Sequence, residues 1–400
     1  MTPPAIFFKL LPFERPTDVS KTFFEQSEFE TRQKRTRQAM EAEGIDLLIV
    51  TSPININYLV GIATKAYQTF QCLLFPLSGE PTFLIRLSDA PEAIDHGLVA
   101  DVRGWGGVRF EDPIDRLLET LKESRFAGKR LGIEWPAYYV SVAHYRKLTA
   151  AMGDRLKDAT SLIEKLKFVK SPAELAYVRK AAEIADIGVE AIAATIAPGL
   201  TERDVAAEAH RALMAAGGDS PPSPMNFSSG ERTPYSHGLP SDRVLKTGDF
   251  MHVEFGGSYR KYCSTIARHF NLGPPSKRAQ EIHDVLLESC DVTMATIKAG
   301  VRAEDVHLAA AKVIHDAGLG AYNVHTTGYG IAPGFPPSWG ESTNMFYGSN
   351  DVLEAGMVMS VEPPIFIHPE KIGGRLIDCV IVTETGCEML SRYPRDLIQR

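Results

Sequence analysis

Two lone carboxylates in apolar segments are the residues of this sequence whose burial most needs a chemical explanation. Glu254 stands in FMHVEFGG, and Glu362 stands in MVMSVEPPIF. A carboxylate in such surroundings is costly to bury unless it is paired or its pKa rises. We interpret Glu254 as a nucleophile or as a base that activates water, and Glu362 as a group that binds a cationic substrate or relays a proton. The structural alternatives are an ion pair of Glu254 with Arg268 or Lys261, and no role for Glu362.

Three further side chains that could carry a proton lie close to glycines. Tyr329 lies in HTTGYG, which begins with His325 and which we expect to form a loop, and His237 precedes Gly238 in another predicted loop. Glycine lets the backbone approach a ligand closely, so a phenol at this position could protonate a leaving nitrogen. An imidazole can carry a proton near neutral pH. The alternatives are a packed tyrosine and histidines that only make structural hydrogen bonds.

Two aromatic residues flank the Pro-Pro pair of GFPPSW and are candidates for substrate binding. The prolines make this segment stiff and extended, and the ring face of Trp339 could cover a cationic substrate. Phe335 stands on the other side of the prolines, and ordinary anchoring of a loop is the alternative for both rings. Glu134 is a further candidate because it ends the strand-like segment RLGIE, whose end we expect to face a cleft.

The composition indicates a globular chain and argues against several classes of partner. The chain has 400 residues, 44% hydrophobic and 23% charged, so two domains are expected. Its 43 basic and 50 acidic residues give a net charge of −7 without a basic run, which argues against nucleic acid or an anionic membrane surface. No apolar stretch is long enough to span a membrane, and MTPPAIFFKLLPFERP lacks the pattern of a secretion signal. Five widely spaced cysteines without a C-x-x-C pair indicate reduced thiols and a cytoplasmic protein.

The elements that must position these residues fall into two predicted domains. Residues 1–165 alternate strand-like and helical segments, which predicts an α/β domain with helices packed on a sheet. A helix start follows at Ser171-Pro172-Ala173-Glu174, with serine as the cap, proline at the first helical position and glutamate three residues after the cap. We therefore place the second domain at residues 166–400.

The second domain contains an internal repeat. IAPGLTERDVAAEAHRALMAAG from Ile196 and IKAGVRAEDVHLAAAKVIHDAG from Ile297 share seven residues over 22 columns, at an offset of 297 − 196 = 101 residues. Each copy follows a longer helix and precedes strand-like segments, so we predict two pseudo-symmetric ααββ units. The alternative is the general similarity of any two amphipathic helices.

These motifs together resemble the creatinase/prolidase/methionine aminopeptidase superfamily, whose fold is called pita-bread. FVKSPAELAYVRKAAEIAD (168–186) is similar to the start of the family's catalytic domain. SHGLPSDRVLKTGD (236–249) resembles the segment with an active-site histidine, and LEAGMVMSVEPPIF (353–366) resembles the strand with a metal-ligand glutamate. The resemblance implies a creatinase-like α/β domain followed by a pita-bread catalytic domain.

The resemblance also identifies the positions where the family's metallopeptidases hold two metal ions. Their ligands are Asp, Asp, His, Glu and Glu, and the corresponding residues of this sequence are Glu254, Thr265, Tyr329, Glu362 and Ile377. Only Glu362 is unchanged, and an isoleucine cannot coordinate a metal. The resemblance therefore implies a metal-free branch of the family with no cofactor.

Two metal-free enzymes of this fold, which hydrolyse creatine and ectoine, suggest a reaction. GYGIAPGFPPSWGE (328–341) and VEFGGSYRKYCSTIAR (253–268) are more similar to the ectoine-hydrolase-like members. We therefore expect a metal-independent hydrolase that cleaves a C–N bond in a small cyclic amidine or guanidino compound, cationic or zwitterionic. Two alternatives stay open: a metal-dependent Xaa-Pro dipeptidase or aminopeptidase, and a non-catalytic member of the fold that binds a small molecule.

A homodimer is the remaining expectation from the resemblance. Creatinase-like dimers send residues of the first domain into the partner's site, from the region that Tyr67 and Gln68 occupy in KAYQTF. These two residues are therefore predicted to bind substrate.

Overall fold

The structure is a computed structural model, and it describes residues 23–400. The segment MTPPAIFFKLLPFERP, which we expect not to be a secretion signal, lies outside the described residues. The chain divides into two compact units, of which the first ends at Lys167 and the second begins at Phe168. Within residues 23–400, no helix is both long and apolar enough to cross a membrane. All five cysteines are free thiols, and four of them are buried.

The first unit is a mixed six-stranded sheet with helices packed against it. The strands, in the spatial order β4-β3-β2-β1-β5-β6, are β1 (Leu47–Val50), β2 (Cys72–Pro76), β3 (Thr82–Arg86), β4 (Asp101–Trp105), β5 (Leu131–Ile133) and β6 (Leu156–Asp158). The helices are α1 (Gln26–Ala42), α2 (Pro53–Val60), α3 (Ala90–His96), α4 (Pro113–Thr120), α5 (Val142–Met152) and α6 (Thr160–Lys167).

Alternate side chains of the central strand β1 face two separate apolar layers. Leu48 and Val50 belong to one buried cluster, and Leu47 and Ile49 belong to another. Successive side chains of a strand point to opposite faces, so an unbroken apolar run such as this one requires both faces to be covered. The α/β domain predicted from the alternation of strands and helices is confirmed.

The second unit is built on a nine-stranded sheet and four helices. The helices are α7 (Pro172–Thr195), α8 (Glu202–Ala215), α9 (Lys277–Thr296) and α10 (Ala303–Asp316). The sheet has the order β16-β15-β12-β10-β9-β8-β7, with β11 paired to β10 and β17 paired to β9. Its strands are β7 (Asn226–Ser229), β8 (Phe250–Tyr259), β9 (Tyr262–Asn271), β10 (Gly328–Phe335), β11 (Ser338–Met345), β12 (Val358–Val361), β15 (Asp378–Val382), β16 (Cys387–Met389) and β17 (Ile398–Gln399). A separate hairpin consists of β13 (Pro364–Ile367) and β14 (Ile372–Arg375).

The predicted repeat is visible in the helices of the second unit. Helices α8 and α10 have 14 residues each and begin 303 − 202 = 101 residues apart. Each follows a longer helix, α7 or α9, and each pair of helices has its own buried cluster. The capping box of Ser171 and Glu174 starts α7 as the sequence predicts. The pita-bread fold with two ααββ units is therefore confirmed.

The segment HTTGYG corrects one local expectation. We expected Tyr329 in a loop, but it lies in strand β10. Glycine is needed there because the backbone runs against another strand: a Cβ at Gly328 would lie 2.0 Å from the carbonyl oxygen of Ser360. Close approach of two strands, and not a flexible loop, explains this glycine.

Buried histidines on β8 and β9 make the stability of the second unit sensitive to acid. His252 lies opposite His269, and both side chains are inaccessible to solvent. Burial lowers the pKa of His252 to about 4, although its Nε2 lies 3.1 Å from the carbonyl oxygen of Thr233. Burial also lowers the pKa of His269 well below its usual value.

We expect the free energy of unfolding to decrease as the pH falls from 6.5 to 4. Over this range His252 binds a proton in the unfolded chain but stays neutral in the folded chain. The loss from this histidine alone is about 3 kcal/mol over that window. Urea unfolding at several pH values measures it, and His252→Gln should show a smaller dependence on pH. An unchanged pH dependence in that variant would contradict a neutral, buried His252.

Candidate active site

A buried ion pair between Glu254 and Arg375 forms the centre of the candidate site. Strand β8 holds Glu254 between its neighbours β7 and β9, and β14 ends at Arg375. Nη2 of Arg375 donates to Oε2 of Glu254 and, at 3.0 Å, to the carbonyl oxygen of Ser236. The two side chains are only 8% and 1% exposed, so water screens their attraction weakly. Each charge therefore depends on the other for compensation.

Glu362 lies next to this pair but has a different environment. It follows β12, its backbone N–H donates to the carbonyl oxygen of Thr327 at 2.7 Å, and the residue is 1% exposed. Among residues 23–400, its Oε1 has no hydrogen-bond partner, and Nδ1 of His325 lies 3.6 Å away. Burial raises the pKa of Glu362 to about 8; Arg375 opposes the shift and Glu254 adds to it. Glu362 is therefore mostly protonated at neutral pH.

Two histidines lie at the edge of the carboxyl cluster. The ring centroids of His237 and His325 are 6.0 Å apart. Burial lowers the pKa of both rings, and the positive charge of Arg375 lowers it further. The side chain of His325 is 29% exposed, and His237 is exposed. Both shifts favour the neutral imidazole, which can accept a proton.

The aromatic candidates pack against the strand that carries Glu254. Nε1 of Trp339 donates to the hydroxyl of Tyr329 at 3.3 Å. A Cβ at Gly256 would lie 2.9 Å from the Trp339 ring, so this glycine makes room for the indole. Burial raises the pKa of Tyr329, which makes its phenol a weaker acid than in water. Phe335 is buried, and Nζ of Lys261 lies 5.5 Å from its ring centroid.

The residues at the family's metal positions do not fit a pair of metal ions. The backbone N–H of Thr265 donates to Sγ of Cys379 at 3.1 Å, and the Thr265 hydroxyl forms a hydrogen bond with the same sulfur at 3.2 Å. Ile377 is fully buried and forms a backbone bridge with Ala267. In the part of the chain that the structure describes, no group of three or more His, Cys, Asp or Glu is arranged to hold a metal ion. Two carboxyl groups, one of them paired with an arginine, are too few ligands for a dinuclear site.

Arg375 is the residue of the site that our sequence interpretation missed. We had named Arg268 and Lys261 as structural partners of Glu254, and this was wrong. Arg268 is fully buried and pairs with Asp378 at 2.8 Å. The segment IGGRLIDCVIV could have identified Arg375 from the sequence, because it places one arginine in an apolar strand. An arginine buried in such a strand needs an acidic partner.

A second buried ion pair supports β11 next to Tyr329. Nζ of Lys170 donates to Oε2 of Glu341 at 2.6 Å and to the carbonyl oxygen of Phe168 at 3.1 Å. The two side chains are 1% and 3% exposed. A Cβ at Gly330 would lie 2.9 Å from Oε2 of Glu341, so the carboxylate packs directly on β10. This pair ties the start of the second unit to the strands that carry the aromatic residues.

The three candidate residues in the first unit, Glu134, Tyr67 and Gln68, differ in their contacts. Oε2 of Glu134 accepts from the backbone N–H groups of Thr51 and Ser52 at 3.1 Å each, and Oε1 accepts from Nδ2 of Asn55 at 2.6 Å. Its carboxyl group thus holds the two residues that precede α2, and burial raises its pKa to about 7. The Tyr67 ring lies 6.4 Å from the Tyr139 ring, and Gln68 is exposed. Substrate binding by these three residues stays a prediction.

Two protein families match the chain. The creatinase/prolidase N-terminal domain matches residues 32–169, and metallopeptidase family M24 matches residues 176–384. A Bacillus subtilis relative described as the uncharacterized peptidase YqhT is 31% identical over 359 residues, which cover 89% of this chain and 96% of the relative.

Solved structures give a similar result. An Xaa-Pro dipeptidase from Bacillus anthracis has a TM-score of 0.82 at 28% identity and covers 93% of this chain and 100% of its own. Dipeptidase PepE from Mycobacterium ulcerans has a TM-score of 0.81 at 28% identity and covers 94% of this chain and 99% of its own.

These comparisons correct the predicted reaction. We expected a hydrolase of amidine or guanidino C–N bonds, similar to ectoine hydrolase, but the relatives and the solved structures are described as peptidases and dipeptidases. The prediction of a hydrolase for C–N bonds outside peptides is therefore wrong. The comparisons favour the peptidase alternative.

Replacement of Glu134 distinguishes its structural role before α2 from substrate binding. We expect Glu134→Ala to lower the free energy of unfolding by about 1–3 kcal/mol, because two buried backbone N–H groups lose their acceptor. Glu134→Gln retains one side-chain oxygen and should lose less. Urea unfolding measures both variants. Normal stability of the alanine variant together with weaker ligand binding would instead support the predicted substrate contact.

Proposed function

Because the chain belongs to metallopeptidase family M24, we propose that it hydrolyses an amide bond in a short peptide, with Glu254 as base and Glu362 as acid. An Xaa-Pro dipeptide is the first substrate class to test, since one of the similar solved structures is an Xaa-Pro dipeptidase. The proposal places the chain in a metal-free branch of the family, because Thr265 and Ile377 stand where two of the metal ligands would be.

The different environments of two neighbouring carboxyl groups carry this proposal. Glu254 is ion-paired with Arg375, whereas Glu362 has a pKa of about 8 and retains its proton at neutral pH. A carboxylate beside a carboxylic acid is the arrangement by which acid–base catalysis cleaves peptides without a metal. The pair therefore supplies both proton transfers that amide hydrolysis needs.

The two proton transfers can be assigned to atoms of the chain. The Glu254 carboxylate takes a proton from water as the water oxygen attacks the carbonyl carbon of the peptide. Glu362 gives its proton to the leaving nitrogen when the C–N bond breaks. The products are a carboxylic acid and an amine, and a proton transferred from Glu254 to Glu362 restores the starting state. His325, 3.6 Å from Glu362, is placed to relay that proton.

The charges of the cluster suit a small zwitterion. A free dipeptide is a zwitterion without net charge, and the ion pair of Glu254 and Arg375 likewise has no net charge. The buried rings of Trp339 and Phe335 supply apolar surface beside them. The homodimer, the cytoplasmic location and the substrate contacts of Tyr67 and Gln68 remain part of the proposal as predictions.

A second candidate function is binding without turnover. Its support is the loss of metal ligands at Thr265 and Ile377, which removes the means by which the family's metallopeptidases activate water. The two functions differ in whether a bound peptide is cleaved, so one set of assays distinguishes them.

Peptide assays with the purified chain test the function. We expect hydrolysis of at least one Xaa-Pro dipeptide, measured as released proline, with activity that survives a chelator and with substoichiometric metal by elemental analysis. A metal-dependent member of family M24 serves as the control that the chelator must inactivate. Two equivalents of metal and chelator-sensitive activity would identify a metallopeptidase. Calorimetric binding of dipeptides without cleavage would identify the non-catalytic alternative.

Variants of the two carboxyl groups test their roles. We expect Glu254→Gln and Glu362→Gln each to lower kcat by about 100-fold or more, because an amide neither accepts nor releases the catalytic proton. Wild-type kcat should fall as the pH rises through about 8, because Glu362 acts in its protonated form and loses that proton there. The exposed Glu388, which pairs with Arg179, provides the matched control Glu388→Gln with normal kcat. A Glu362→Gln enzyme that retains both activity and the alkaline limb would refute the assignment.

A further inference from the structure

Arg375 is a buried cation, and the groups around it are too few to be the ligands of a metal ion. Its side chain is 1% exposed and ends the short strand β14. Its Nη2 contacts Glu254 and the carbonyl oxygen of Ser236, and its charge acts on Glu362 and Tyr329. Among the residues that the structure describes, its Nε has no hydrogen-bond partner. Its burial is therefore stabilised by acidic neighbours and not by full hydrogen bonding.

The Glu254 carboxylate in turn needs a positive charge. Glu254 is 6% exposed, and an uncompensated buried carboxylate is strongly destabilising. Thr265 and Ile377 face other partners and add no ligand for a metal ion. In residues 23–400, Arg375 is the cation that forms a salt bridge with Glu254.

We propose that Arg375 supplies the positive charge that balances this carboxyl cluster. The volume that its side chain occupies is then a binding site for a guanidinium ion and not for a divalent metal ion. A guanidinium is planar and presents its N–H groups as a fork that matches carboxylate and carbonyl oxygens. A divalent transition metal would need about four ligands, and the acceptors around Nη2 are one carboxylate and one carbonyl.

Rescue of an arginine deletion tests the proposal. Arg375→Ala should lower the Tm by about 10 °C, and millimolar guanidinium or methylguanidinium should restore part of that loss. Urea has the same planar shape without the charge and should restore nothing. Mn²⁺ and Zn²⁺ should restore nothing and should leave the wild-type Tm unchanged. Rescue by a divalent ion, or equal effects of urea and guanidinium, would overturn the proposal.

Matched variants separate specific rescue from general salt effects. Arg375→Ala combined with Glu254→Gln should show no rescue, because the acceptor of the guanidinium is gone. Arg179→Ala removes an exposed, paired arginine and should respond to guanidinium as the wild type does. If the alanine variant fails to fold, Arg375→Lys and Arg375→Met replace it. These two differ mainly in charge, so equal Tm values for them would also overturn the proposal.

These experiments measure the melting temperature and not peptide cleavage. A chain that cleaves no peptide can still show guanidinium rescue, and in that case only the proposed function fails. A chain that cleaves peptides but shows no rescue would retain the function and lose this inference.

Discussion

The ion pair between Glu254 and Arg375 is the contact on which the rest of the candidate site depends. Breaking a buried pair by removing one partner costs about 3–5 kcal/mol, since the remaining charge stays uncompensated. Arg375 balances the charge of Glu254, whereas burial raises the pKa of Glu362 beside it to about 8. The two carboxyl groups therefore have different environments. The acid–base chemistry that we propose depends on that difference.

The fold brings these groups together through its internal repeat. Glu254 lies on β8 of the first half, whereas Glu362 and Arg375 follow the helices of the second half. Each half buries its own helix pair against the shared sheet, so the strands that carry the site are fixed from both sides. Close backbone contacts add to this rigidity: a Cβ at Gly257 would lie 2.0 Å from a carbonyl oxygen of α7. Because these strands are held rigidly, few loops are needed to position the residues of the site.

The sequence predicted the architecture well because its signals are local. The capping box at Ser171 and the repeat at an offset of 101 residues identify helices directly, and the structure contains both. The partner of Glu254 was not predictable in the same way, because Arg375 is 121 residues away and several cations were eligible. The reaction was misjudged for a related reason: residues missing from a metal site say which chemistry is lost and not which bond the remaining groups cleave. The relatives are described as peptidases and a dipeptidase, and this is what corrects the expected reaction.

The packing of the altered metal positions bears on what single substitutions can restore. Thr265 is engaged with Cys379, and Ile377 fills a sealed position beside Ala267. An aspartate or glutamate placed at one of these positions alone would bury a carboxylate without a partner, at a cost in stability. Several changes would have to occur together before a metal ion could compensate for any of them. The packing around Thr265 and Ile377 therefore keeps a two-metal centre out of reach of single substitutions at these positions.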